Sequence, residues 1–533
     1  GTLGGALALA AASGAWIWHN THQLNRYTSA QDRQRMQADY EKRYKALEYA
    51  PQPHVTEVDL NADLYPGELR ARLRGTYTLV NRSEQPIADF YVLLPPQVQV
   101  EAINADLPLT LADQAPELGW RHYRLAQPLA AGATTRFRFD IGYAVHGFTN
   151  DGASDVVLGN GTFVNGAEGR EVARLPAFGY DASYELSSDR ERKKFGLAPK
   201  ERMRDLDDAR GRNIGVDWID HYQATLSTDA GQTAITSGVL TRQWNEGGRS
   251  YFSYRMDGRS LALLTVLSGR YAVKRDRWQG AAQSADIEIN YHAGHEFDLD
   301  RMIAGVKDSL DYYTQHFSPY QYPLVRIVEF PRYERFAESF PNTIPYSEAI
   351  GFIARVDDSD PKDIDYPYFV TAHEMAHQWW AHQEMPADVQ GAEFITESLA
   401  EYSALLVLKH KYGDARMHRF LHYELDRYLF GRAGESKKEQ PLMRADGPSY
   451  LHYAKGSLAL YALQDAIGED AVNRALSAFV QAWRFRGPPY PISRDLLAEL
   501  RKVTPPEQQY LIEDLFETIT LYELRATSAH ARK

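Results

Sequence analysis

The chain has 533 residues and a mass of 60.5 kDa, too long for one core when a domain takes roughly 100–200 residues. Apolar residues make up 44% and charged residues 24%, which excludes global disorder. A net charge of −12 argues against a protein that tracks nucleic-acid phosphates, and the absence of Cys removes disulfides, thiolate metal sites and Cys nucleophiles.

The first residue is Gly, so the sequence is expected to be a fragment or a processed form. Residues 2–18 are uncharged and end in Trp16, Ile17 and Trp18, a pattern expected of the end of a transmembrane segment spanning 1–20. A polar helical linker follows over 21–50, with its helix at 28–48 stopped by Pro51 and Pro53. From His54 the apolar period becomes two: Val58, Leu60, Ala62 and Leu64, then Leu69 to Leu79, then Phe137 to Tyr143. Such alternation predicts an antiparallel saddle or sandwich with one wet face, continuing to about residue 270. Within it, the charged stretch 187–213 reads as a long solvated insertion. Strands are predicted at 287–291, 324–330 and 351–356, and a helix over 299–313 with Asp298 as its N-cap. Helices dominate from 366 to about 518. No G-x-x-x-x-G-K, G-x-S-x-G or G-x-G-x-x-G occurs, so nucleotide-binding and serine-hydrolase readings lack their anchors.

Chemistry concentrates in the stretch HEMAHQWW at 373–380. His373 and His377 are one helical turn apart, so both imidazoles can reach a single zinc ion at about 2.0–2.1 Å. Glu374 points elsewhere on that helix and can take a proton from water without binding the ion. The bland alternative is a pair of exposed helical histidines. Downstream, ITESLAEY at 395–402 begins a helix that runs to Gly413. Either Glu397 or Glu401 can supply the third ligand; Glu397 is favoured, with Glu401 standing behind the ligands.

HEMAHQWW followed by ITESLAEY resembles the aminopeptidase N-type gluzincin peptidases. SGRY at 268–271 resembles that family's junction between domains, and Tyr453-Ala-Lys-Gly456 its Y-x-K-G element. The likeness is greatest to members fused to ABC-type permease membrane segments. It implies a multidomain chain: a β-saddle at 51–271, a thermolysin-like α+β catalytic domain at 272–468, and a short helical C-terminal region at 469–533. It further implies one zinc ion on His373, His377 and Glu397, Glu374 as general base, and Tyr453 as a hydrogen-bond donor to the oxyanion. The expected substrate is a peptide cut at its N-terminal residue. The expected setting is a membrane-anchored domain outside the cytoplasm, on a bacterial inner membrane, with no nucleic-acid partner.

Two departures stand out. The connection from His377 to Glu397 has nineteen residues, one more than is usual in the family. The G-x-M-E-N motif that holds the substrate amine is replaced by a segment containing Phe336-Ala-Glu338, so Glu338 is expected to take the amine, with Glu348 as a second acidic residue on the same edge. The alternatives are therefore a gluzincin endopeptidase and a non-catalytic peptide-binding ectodomain of a transporter.

Overall fold

The computed structural model describes residues 2–153, 156–166, 175–360, 362–519 and 528. It has an N-terminal β-sandwich, an α+β domain and a C-terminal group of helices. In the N-terminal part, a seven-stranded sheet centres on His54–Tyr65, which pairs antiparallel with Arg70–Val80 and parallel with Trp218–Asp229. Its alternating side chains Val58, Leu60, Ala62 and Leu64 are all buried, and a four-stranded sheet carrying Phe90 and Val92 adds to the same core. The alternation is thus the signature of one face packed and one face wet.

The segment Tyr271–Gln279 starts the sheet that positions the site. Next come Ser284–His292, Leu324–Phe330 and Thr343–Ser347, the last two joined in parallel. The long helix Leu299–His316 buries Met302, Val306, Leu310 and Tyr313 against this sheet and the helices behind it. Asp298 stands at its N-cap position but makes no side-chain cap hydrogen bond.

Several expectations are corrected. The strand expected at 351–356 lies earlier, at Thr343–Ser347, and Glu348–Phe352 forms a π-helical turn instead. Pro345 disguised that strand; it is tolerated because the strand lies at the sheet edge. The stretch 187–213 is not simply solvated: Arg192 is buried and grips Glu41 of the Ala30–Tyr44 helix through two hydrogen bonds of 2.7 and 2.8 Å. The stretch 1–20, expected to be the end of a transmembrane segment, is mostly helical. Thr2–Trp18 is an apolar helix of 17 residues, and no helix among the described residues is long and apolar enough to cross a membrane. The end of the C-terminal region expected to be helical, 520–533, lies outside the described residues, Ser528 excepted.

Candidate active site

The Tyr366–Ala376 helix carries His373 and Glu374, with His377 at its C-cap. Asp365 caps it by accepting from the Tyr368 N–H, with Pro367 in the first turn where its missing donor costs nothing. Tyr313 of the long helix donates to the Ala372 carbonyl at 2.9 Å, and Ala372, Met375 and Ala376 are fully buried. The opposite side of the helix holds His373 and His377, whose Nε2 atoms lie 3.0 Å apart.

Glu397 comes from a different element, a π-helical turn at Phe394–Ser398 leading into the Leu399–Tyr412 helix. Its Oε2 lies 3.4 Å from His373 Nε2 and 3.2 Å from His377 Nε2. The three donor atoms thus form a nearly equilateral triangle. A tetrahedral ion with bonds of about 2.0–2.1 Å needs ligand atoms roughly 3.3–3.4 Å apart. The wide π turn also gives the longer His377–Glu397 connection a place to absorb its extra residue.

The far side of each imidazole is held. His377 Nδ1 lies 3.0 Å from the Trp380 carbonyl, and His373 Nδ1 lies 2.6 Å from Glu401 Oε2. Such contacts orient the rings and leave both Nε2 atoms facing Glu397. Glu401 is braced in turn by Arg427 at 2.7 Å, which also reaches Glu424 at 3.0 Å. Burial alone would depress the His373 imidazolium, but Glu401 and Glu397 outweigh it and hold the ring well above its usual value. Burial likewise opposes ionisation of Glu397, yet His377 and His373 drive its carboxyl well below the usual range. The pocket is therefore built to hold positive charge. Glu397 Oε2 is buried without a hydrogen bond of good geometry. Two imidazoles, one carboxylate and that orphaned oxygen fit a zinc ion.

Glu374 is buried, and its Oε2 has no hydrogen-bond partner. Burial raises its carboxyl despite the pull of His373 and His377. Tyr453 sits in a second π-helical turn, Tyr450–Lys455, with its ring centroid 5.6 Å from that of His373. Burial, then the Glu397 carboxylate, pushes its hydroxyl well above the usual phenol range, so it remains a donor. This turn docks on the Glu397 turn. Ser398 Oγ donates to the His452 carbonyl at 2.5 Å, and a Cβ on Gly456 would stand 2.0 Å from Ser398 Oγ. Lys455 is buried in an ion pair with Glu439.

Glu338 lies on an extended segment beside the Thr343–Ser347 strand, its N–H donating to the Pro345 carbonyl. Asn165 donates to its Oε2 at 2.5 Å. Its neighbour Ser339 accepts from Gln378, next to His377, at 2.5 Å and from His382 Nε2 at 2.9 Å. Burial lowers the His382 imidazole to about 4, so it is a neutral donor there. Glu348 is placed differently, 3.9 Å from His295 Nδ1 and 3.7 Å from Arg332 Nε. Sequence reasoning missed Arg427, Glu424 and Asn165, which reach the site from segments with no local motif.

Residues 302–515 match the Peptidase family M1 domain. This stretch is a peptidase domain. No curated protein matches the chain. Among solved structures, an M1 zinc metallopeptidase from Deinococcus radiodurans is similar at 18% identity and a TM-score of 0.61, covering 91% of this chain and 98% of that one. A variant of the same description bound to a Tyr-Ser-Ala substrate is 17% identical with a TM-score of 0.63, covering 90% of this chain and 97% of that one. These likenesses show a shared fold across the β-sandwich and the peptidase domain alike.

Proposed function

We propose that the chain is a zinc-dependent aminopeptidase that removes N-terminal residues from peptides, with residues 272–468 as its catalytic domain. The observation carrying this reading is the triangle of His373 Nε2, His377 Nε2 and Glu397 Oε2, with sides of 3.0, 3.2 and 3.4 Å, beside the buried carboxylate of Glu374. Zinc held by these three residues would supply Lewis acidity for the scissile carbonyl and acidify water. Glu374 takes the proton from the attacking water and delivers it to the leaving amine, a role that suits a carboxyl raised by burial. Tyr453 donates its hydroxyl proton in a hydrogen bond to the oxygen on which negative charge develops. Glu338 pairs with the substrate's ammonium, since a buried cation must be paired. Its place beside Ser339, which is bonded to Gln378 and His382, supports this choice over Glu348.

One observation favours a second reading, cleavage within peptides: Asn165 already donates to Glu338, competing with an ammonium for that oxygen. One measurement tests both readings and a second separates them. Glu374→Gln is expected to keep its zinc and lose roughly 10²–10⁴ in kcat; unchanged turnover defeats both. Free-amine peptides should be cut and their N-acetylated forms spared; equal cleavage of the two makes the enzyme an endopeptidase.

A further inference from the structure

A second group of metal-type donors lies outside the catalytic triangle, at the C-terminal ends of the sheet strands. His292 ends the Ser284–His292 strand and His295 stands in the turn that follows. Glu329 is the penultimate residue of Leu324–Phe330, and Glu348 follows directly on Thr343–Ser347. The parallel register Asn290–Val328 and Glu329–Tyr346 brings these chain ends side by side. One donor atom from each of the four residues lies within 4.8 Å of the others.

The chemistry of this cluster is that of a cation site. The Glu329 side chain is fully buried, where an ionised carboxylate is costly unless paired. Its ion-pair partners among the described residues are imidazoles: His295 Nδ1 in close contact and His292 Nδ1 at 3.5 Å. Its other oxygen accepts from the His292 N–H at 2.6 Å. His292 Nε2 is buried with no hydrogen-bond partner. The His292 ring is fixed by stacking on Tyr271, 5.2 Å between centroids, and the Tyr271 hydroxyl donates to the Glu329 carbonyl at 3.1 Å. These outer contacts orient donors in the way that metal ligands are commonly oriented. A simple His295–Glu329 ion pair accounts for two of the four residues. It leaves unexplained why His292 and Glu348 converge on the same point. Arg332 is the alternative partner of Glu348, but it is 72% exposed and 3.7 Å away, a weak pair.

We propose that His292, His295, Glu329 and Glu348 form a second divalent-metal site that takes zinc. Four protein donors close the coordination shell, as in structural zinc sites, whereas the catalytic set has three and an open position. The ion ties the turn after His292 to the end of the Thr343–Ser347 strand, and so anchors the edge along which Glu338 runs. This goes beyond the peptidase reading and does not depend on it.

The test counts zinc on the full chain, stripped with a chelator, reloaded with zinc alone, and assayed by elemental mass spectrometry. Two equivalents are expected for the parent chain, and one for the double variant His295→Asn/Glu348→Gln, which alters the two most exposed donors and leaves the buried pair intact. The catalytic-site variant His377→Asn/Glu397→Gln should also bind one, and the combination of all four substitutions none. A single equivalent in the parent that disappears in the His377→Asn/Glu397→Gln variant overturns the proposal, as does a His295→Asn/Glu348→Gln chain that still binds two. Should that variant fail to fold, the parent and the His377→Asn/Glu397→Gln chain decide alone: two falling to one supports the site, one falling to none refutes it.

Discussion

Replacing Glu401 by Ala probes how His373, a ligand in the proposed zinc site, is held. The carboxylate lies 2.6 Å from His373 Nδ1 with its side chain 6% exposed, so the ion-pair contact is made out of water. Loss of a hydrogen bond to a charged group is worth about 1.5–3 kcal/mol. Loss of an outer partner of a metal ligand typically weakens metal binding by about 10–100-fold, or roughly 1.4–2.7 kcal/mol. The two estimates agree. The fold should survive, because Arg427 keeps Glu424 at 3.0 Å when Glu401 is gone. Glu401 is ionised throughout the working range: burial opposes the charge, but His373 and Arg427 hold its carboxyl at about 2. The Gln variant keeps an acceptor without the charge and should lose tenfold or less, on the order of one tenth of a buried charged bond's full effect on the binding constant. Competition for zinc against a chromophoric chelator measures both variants directly. At saturating zinc, kcat should return to within a few-fold of the parent. An Ala variant that is folded and binds zinc as tightly as the parent would refute the idea that Glu401 orients the ring.

Three further outcomes follow from named contacts. Glu338→Ala should raise KM for peptides with a free N-terminus while leaving N-acetylated peptides unaffected; a uniform loss on both would assign Glu338 to the fold instead. Gly456→Ala should cost about 1–3 kcal/mol, because its Cβ would meet Ser398 Oγ at 2.0 Å and Ser398 Cβ at 2.6 Å, and should lower kcat as the Tyr453 turn moves. A parent-like melting temperature and rate would show that the two turns have room to spare. Glu384 is fully buried with neither oxygen hydrogen-bonded, and burial holds its carboxyl well above the usual 4.5. It stays protonated when folded and ionises when unfolded, so above that pH the unfolded state binds fewer protons and stability falls as pH rises. The slope from this one group is up to about 1.4 kcal/mol per pH unit. Urea unfolding of Glu384→Gln should lack that slope between roughly pH 5 and 7; parallel profiles for the two chains would mean that Glu384 is not held neutral.

The residues of the candidate site were legible where chemistry and geometry are local. His373 and His377 must share a helix face because four residues make about one turn, and no distant contact can change that. The alternating strands were legible for the same reason: Val58 to Leu64 can bury only one face at a time. What sequence did not reveal depends on pairing between distant segments. The buried run Thr343–Ser347 became a strand through its parallel register with Arg326–Phe330, whereas the equally apolar start of 351–356 is held in a wide turn, with Gly351 packed closely on Met302 and Tyr346. Arg192 looked like one charge among many in 187–213, and only the approach of Glu41, far away in the chain, takes it into the interior. The His292-Ala-Gly-His295 spacing was visible, but its carboxylates come from two other strands, so no linear motif announced them.

The direction of Glu397 follows from the same interplay of local and distant constraints. Every residue from Leu399 to Leu408 is buried, so close packing on all sides fixes the rotation of the helix they form. The π-helical turn ahead of it, at Phe394–Ser398, uncouples the aim of Glu397 from that packing by changing the helical phase over one turn. Glu397 then faces His373 Nε2 from the turn, while Glu401, fixed in the regular helix one turn later, reaches Nδ1 of the same ring. The π turn and the helix that follows it therefore supply two carboxylates to one ring, Glu397 at Nε2 of His373 and Glu401 at its Nδ1. Any substitution that straightens the π turn must move the first without moving the second.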